Sequence, residues 1–225
     1  MANTKNQNTA QNIDEQVNQP SFIEKNAKAI IIGIVAIVLI VAGLIVYNSY
    51  VVEPREEEAS TAISKGQDYF NNQQFEMALN GDSVNYKGFV ALANEYSSTK
   101  AGNLANLYAG LCYAKLDKWQ EAANYLEKYD AQDDQMISPS AIGALGNAYI
   151  YLQQYDKAVE TLKKAAQAAD NNSVSPIFLI QAGEVLEIQG KKEEALKLYQ
   201  EIKTKYQNSM QYQTIDKYIE RAKVK

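Results

Sequence analysis

The chemistry open to this chain is set first by the residues it lacks. Among its 225 residues there is no histidine, and Cys112 is the only cysteine. Without histidine there is no Ser-His-Asp triad, no H-E-x-x-H zinc helix and no imidazole base. One thiol makes no internal disulfide, no C-x-x-C redox pair and no cysteine-rich zinc site. No P-loop and no G-x-G-x-x-G after a strand is present to cradle phosphate. What remains is 16 tyrosines and a surplus of acid, 27 Asp and Glu against 22 Lys and Arg. A net charge of −5 has the wrong sign for a nucleic-acid surface. The run Glu56-Glu57-Glu58 reads as the solvated start of a helix, where carboxylates suit the dipole. Cys112 reads as a packed structural thiol, because no cluster of cations in the sequence would lower its pKa. No catalytic, cofactor-binding or metal-binding residues are assigned, and the chain is not expected to be an enzyme. Its chemistry is recognition by shape.

The strongest element is apolar. From Ala29 to Val52 there is no charged residue, and Ile and Val dominate. As a helix this stretch extends about 36 Å, enough to cross a hydrocarbon core with some tilt. Tyr47 and Tyr50 stand near its far end, where amphipathic rings suit the headgroup layer. The polar stretch before it is long for a signal peptide, and the apolar run exceeds a usual signal core, so an uncleaved anchor is expected. Lys25 and Lys28 just precede the span, while Arg55 follows among carboxylates and Lys65 lies farther on. That bias favours a cytoplasmic N-terminus and a domain outside the cytoplasm. Residues 1–28 are then a disordered cytoplasmic tail, in which Asn, Gln and Thr prevail over Met1–Pro20. Residues 29–52 are the span, and 53–225 a periplasmic domain that carries all the net charge.

That domain repeats. Phe75-Glu-Met-Ala78, Trp119-Gln-Glu-Ala122, Tyr155-Asp-Lys-Ala158 and Lys192-Glu-Glu-Ala195 align on their alanines. Twelve residues before each alanine stands Gly66, Gly110, Gly146 or Gly183. Three residues after each glycine comes Tyr69, Tyr113, Tyr149 or Leu186, and four after the last three alanines come Leu126, Leu162 and Tyr199. Small residues let two helices of a hairpin approach, and large ones fill between hairpins, so stacking makes a core that no hairpin has alone. Ser138-Pro139 and Ser175-Pro176 share a repeat position and suggest serine N-caps with proline at the first helical position. Gly190 suits a left-handed turn between two helices. Residues 209–225 form an amphipathic capping helix with Tyr212, Ile215 and Ile219 on one side. The first unit departs from the pattern, with an insertion around Asn80–Asn85 and a second helix expected from about Tyr86 through Tyr96.

Over residues 57–208 this pattern resembles the tetratricopeptide repeat family. The expected fold class is all-α: one transmembrane helix, a solenoid of about four helical hairpins and a C-terminal cap. The resemblance implies a concave face lined by the first helices, with Phe70, Leu104, Leu107, Leu111, Asn147, Ile150, Ile180 and Glu184 as candidate partner-binding residues. Such a groove favours apolar or unfolded segments. Ile63 and Gln67 stand where a carboxylate clamp would need Lys and Asn, so recognition of a chaperone tail of that kind is not expected. The tyrosines at recurring positions read as packing residues first.

The flanks of the span narrow the resemblance. Phe22-Ile-Glu-Lys-Asn-Ala-Lys28 before it, Tyr47-Asn-Ser49 at its end, then an acidic helix and repeats, resemble the ancillary subunit family of the bacterial Sec translocon. That resemblance implies an inner-membrane protein with a periplasmic repeat domain; from the missing motifs and the acidic charge, no cofactor and no nucleic-acid partner are expected. It implies association with the SecYEG channel, with a membrane-anchored periplasmic prolyl isomerase or chaperone, and with unfolded clients handed between them. The alternative expectation is an assembly or accessory factor of another envelope secretion machine that binds peptides in the same groove.

Overall fold

A computed structural model describes residues 22–82 and 84–224 of the chain. The expectation of disorder over Met1–Pro20 lies outside the described residues. Every regular element among the described residues is helical. The chain divides into two compact units, Met1–Pro54 and Arg55–Lys225.

The first unit holds α1 (Phe22–Tyr47) and a π-helical turn, Asn48–Val52. Helix α1 starts earlier than the sequence suggested, so Phe22–Lys28 is helical rather than part of a disordered tail. These seven residues include good helix formers, and the Asn26 amide donates to the Phe22 carbonyl at 2.9 Å. The π turn closes when the Glu53 amide donates to the Asn48 carbonyl, five residues back. The Asn48 side chain also donates to the Glu53 carboxylate at 3.3 Å. Large apolar side chains from Ile31 to Val51 are exposed all round the helix. Among the described residues this is the one helix long and apolar enough to cross a membrane, and none of it is buried.

The second unit is a stack of helical hairpins. Helix α2 (Glu53–Asn71) is followed by short α3 (Phe75–Asn80) and α4 (Phe89–Glu95). Then come α5 (Lys100–Lys115) with α6 (Trp119–Leu126), and α7 (Ile137–Tyr151) with α8 (Tyr155–Ala169). Helices α9 (Ser175–Ile188) and α10 (Lys192–Lys205) form the last hairpin. A 3-10 turn, Gln211–Gln213, leads into α11 (Ile215–Lys223).

Backbone hydrogen bonds recur in register. Each first helix ends with one left-handed residue: Gln73, Asp117, Gln153 or Gly190, with φ from 57° to 74°. The next amide reaches back five residues, to the carbonyl of Tyr69, Tyr113, Tyr149 or Leu186 at 2.8–2.9 Å. This is the helix-ending motif in which a left-handed residue lets orphan carbonyls be satisfied. Only the last copy uses a glycine for it.

Inside the hairpins, the recurring glycines sit where a side chain has no room. A Cβ on Gly110 would lie 2.6 Å from Leu126, on Gly146 2.7 Å from Leu162, and on Gly183 2.3 Å from Tyr199. These are the large residues four positions after each alanine, so the small residue on one helix receives the large one on its partner. Ala78, Ala122, Ala158 and Ala195 are fully buried.

The first unit of the repeat solves the same problem differently. Here Tyr86 and Phe89 fill the space over Gly66, with a Cβ position 2.2 Å from the Tyr86 hydroxyl. Tyr86 is not helical as expected; it lies in the loop before α4, and Tyr96 caps that helix at its C-terminal end. Asp82 organises the loop. Its Oδ1 accepts from the amides of Val84, Asn85 and Tyr86 at 3.0, 2.6 and 2.9 Å, and its Oδ2 accepts from the Tyr69 hydroxyl at 2.7 Å. The Tyr69 hydroxyl first, then the three amides, hold the Asp82 carboxyl far below the usual carboxylate range.

Two sequence expectations are corrected at the junctions. The serines of Ser138-Pro139 and Ser175-Pro176 are not N-caps; both lie buried inside the first turn of α7 and α9. Asp134 does the capping before α7, accepting from the amides of Met136 and Ile137 at 2.9 and 2.5 Å. Asn171 holds the turn before α9, its Oδ1 accepting from the amides of Ser173 and Val174. The serine hydroxyls instead tie neighbouring chain segments together. Ser138 accepts from the Gln132 amide at 2.7 Å, and Ser175 donates to the Ala166 carbonyl at 2.8 Å. The capping helix is also shorter than expected. Ile215, Ile219 and Ala222 are its buried face, while Tyr212 belongs to the 3-10 turn and is exposed.

Candidate functional site

The repeat register sorts the surface of the first helices into rows. The residue after each recurring glycine is Gln67, Leu111, Asn147 or Glu184. Four positions after the glycine stand Phe70, Ala114, Ile150 and Glu187, and five after it Asn71, Lys115, Tyr151 and Ile188. Three of these rows converge on a surface cavity of about 530 Å³. Helix α5 contributes Ala114 and Lys115, α7 contributes Asn147, Ile150 and Tyr151, and α9 contributes Gln181, Glu184 and Ile188. Trp119, at the start of α6, completes one wall. Its indole stacks on the Tyr151 ring, parallel to within 1° at a centroid distance of 3.7 Å.

Of the eight sequence-derived candidates, Asn147, Ile150 and Glu184 line this cavity. The other five do not; their apolar surface is used in packing. Phe70 meets the edges of Phe75 and Tyr108 at 5.5 and 5.4 Å. Leu107 is buried in a cluster with Leu126 and Ala141, where Leu104 and Leu111 also pack. Ile180 packs on the C-terminal core. These positions, apart from Phe70 and Leu111, lie in the N-terminal half of their helices, where hairpin meets hairpin. Conversely, Lys115, Trp119, Tyr151, Gln181 and Ile188 line the cavity without having been singled out. The signal was available for three of them, since Lys115, Tyr151 and Ile188 occupy one repeat position.

The charges of the site sit at its two ends. Lys115 stands on α5 and Glu184 on α9, two repeats apart. Arg221 of α11 reaches the α9 carboxylates: its Nε donates to Glu187 at 2.8 Å, and its Nη2 lies 3.7 Å from Glu184. The Tyr218 ring lies 5.0 Å from the same guanidinium. The side-chain carbonyl oxygen of Gln181 is buried and has no hydrogen-bond partner among the described residues.

The remaining reactive types are structural. Cys112 is fully buried, and burial pushes its thiol up to about 12, so little thiolate exists near neutrality. Tyr149 is buried and donates to the Glu127 carboxylate at 2.6 Å; burial first and that carboxylate second push its hydroxyl up to about 12. Tyr113 stacks on Tyr125 at 5.4 Å. Glu56 is more than a solvated helix start: its carboxylate accepts from the amides of Lys100 and Ala101 at 2.7 and 2.8 Å and so caps α5.

The sequence matches the profile of the tetratricopeptide repeat-like domain over residues 21–220. The chain belongs to this family. Two solved structures share its fold: a putative kinesin light chain from Podosopora anserina with nearly identical tetratricopeptide-like repeats, and a single-substitution form of the same protein. Each has a TM-score of 0.55 at 15% identity, over 72% of this chain and 83% of the other. No curated protein matches the sequence. Tetratricopeptide repeats are characteristically non-catalytic scaffolds for protein partners, and the open, mixed apolar and polar cavity on the first helices is of the kind that receives a polypeptide.

Proposed function

We propose that this tetratricopeptide repeat protein is a single-span inner-membrane scaffold. Its N-terminus lies in the cytoplasm and its repeats in the periplasm, where they associate with the SecYEG channel and a membrane-anchored prolyl isomerase or chaperone. In this reading it aids the hand-over of newly translocated proteins to folding factors, and the groove of α5, α7 and α9 takes extended segments of partners. The observation that carries the reading is α1: an apolar helix without charge from Ala29, exposed on every side, in a chain that also holds a stacked-hairpin domain. Water does not tolerate so large an apolar surface, whereas lipid does. The partners rest on the resemblance of the flanks, Phe22–Lys28 and Tyr47–Ser49, to the translocon's ancillary subunit.

Crosslinking in native membranes, followed by identification of what is joined to the chain, tests the assignment. The expected products are the channel and the isomerase. Recovery of components of another secretion apparatus, with neither of those two, would assign the chain to that machine instead.

A further inference from the structure

The cavity between α5, α7 and α9 has an uneven composition that points to one kind of side chain. Its walls are apolar and aromatic: Ile150, Val185, Ile188 and the stacked Trp119–Tyr151 pair. It holds one carboxylate, Glu184, whose side chain is 45% exposed. That carboxylate is poorly served inside the protein. Arg221 commits its Nε to Glu187 at 2.8 Å and approaches Glu184 only at 3.7 Å. An ion pair of that length leaves Glu184 with acceptor capacity to spare. Asn147 and Gln181 beside it offer amide groups. Lys115 stands on the far first helix, two repeats away, and disfavours a second cation there.

We propose that this cavity takes a lysine or arginine side chain of an extended partner segment. Its aliphatic stem lies against Tyr151 and Ile188, and its cationic head pairs with Glu184. A long basic side chain is apolar along its stem and charged at its tip, and an aromatic face attracts a cation, so both halves find matching surface here. A carboxylate at the same position would meet Glu184 as a like charge, and a purely apolar side chain would leave it unserved. The inference rests on the reading of this groove as a site for partner polypeptide, and narrows it to basic segments.

Fluorescence anisotropy on the full chain in detergent micelles tests it. The probes are three labelled pentapeptides, Ala-Leu-Xaa-Leu-Ala with blocked ends, in which Xaa is arginine, norleucine or glutamate. Because Glu184 is partly solvated, the arginine peptide should bind about fivefold tighter than the norleucine peptide at low salt, with the margin shrinking as salt rises. Glu184→Gln should bring the three peptides to parity, and Glu184→Lys should invert their order, both with unchanged thermal melting. Glu160→Gln, on α8 and outside the cavity, should leave the preference as it is. A preference that survives Glu184→Gln, or no preference in the native chain, overturns the proposal. If the three peptides bind equally and Tyr151→Ala weakens all of them, the groove stands and only its basic specificity falls. If none binds, the groove reading falls with it.

Discussion

At the scale of single residues, the repeat is held by steric fit between one small and one large side chain. Leucine at position 146 would have to displace the Leu162 side chain, which already lies 2.7 Å from where its first carbon would sit. Overpacking of this kind costs about 3 kcal/mol. In a domain of this size that lowers the melting temperature by roughly 10 °C. Gly146→Leu should therefore melt well below the native protein in a circular-dichroism scan, and equal melting would show that the hairpin register is misassigned. Asp82 gives a prediction in pH. Its folded pKa lies far below its unfolded one, so its contribution is present above about pH 3.9 and is lost as pH falls through the folded value. Asp82→Asn should melt lower than the native protein at pH 7, and the gap should begin to close below about pH 4. The pairing of Gly146 with Leu162 was legible from spacing alone, because it recurs. Asp82 was not, because the loop from Gly81 to Gly88 occurs once and its hydrogen bonds follow from no repeat. The site was legible in part for a related reason. Asn147, Ile150 and Glu184 follow from family geometry, but whether a leucine such as Leu107 faces the groove or the next hairpin depends on how closely neighbouring first helices pack.

At the scale of elements, helix starts are held both by local caps and by side chains from elsewhere in the stack; α5 has both, since its own Thr99 hydroxyl accepts from the Gly102 amide at 2.9 Å. The sequence expectation of serine caps failed because Asp134, four residues upstream of Ser138, reaches the first amides of α7, and because the Ser175 hydroxyl donates to the Ala166 carbonyl instead. Glu56 is the longest-range case. It lies in α2 and holds the first two amides of α5, 44 and 45 residues on. No local pattern marks such a pair, and the neighbouring Glu57 and Glu58 hide it among like residues. Arg55 of the same turn donates to the Glu95 carbonyl at 2.7 Å, so both side chains clamp the α4–α5 junction. Losing a capping carboxylate costs about 1 kcal/mol. Glu56→Ala should therefore lower the melting temperature by a few degrees and speed hydrogen exchange at Lys100 and Ala101, whereas Glu57→Ala should do neither. Equal exchange in the two variants would show that Glu56 does not hold α5.

At the scale of the whole molecule, charge and hydropathy are partitioned along the chain. From Ala29 to Val52 no side chain is charged, and the entire excess of acid falls on residues 53–225. An acidic domain gains nothing from staying beside the anionic cytoplasmic leaflet, and carboxylates do not hinder its translocation, whereas lysines beside a span are retained. Lys25 and Lys28 are thus expected to fix the orientation. A reporter active only in the periplasm, fused after Lys225, should be active, and the same reporter placed before Phe22 should be silent. Replacing Lys25 and Lys28 together by glutamine removes the bias at its source and leaves Arg55 and Lys65 on the other flank as the nearest cations. That double variant should show mixed orientation, with reporter activity reduced several-fold and the repeat domain partly protected from protease added outside the inner membrane. Full activity in the double variant would mean that the two lysines do not set the topology. A fusion active before Phe22 and silent after Lys225 would put the repeats in the cytoplasm and remove the periplasmic partners from consideration.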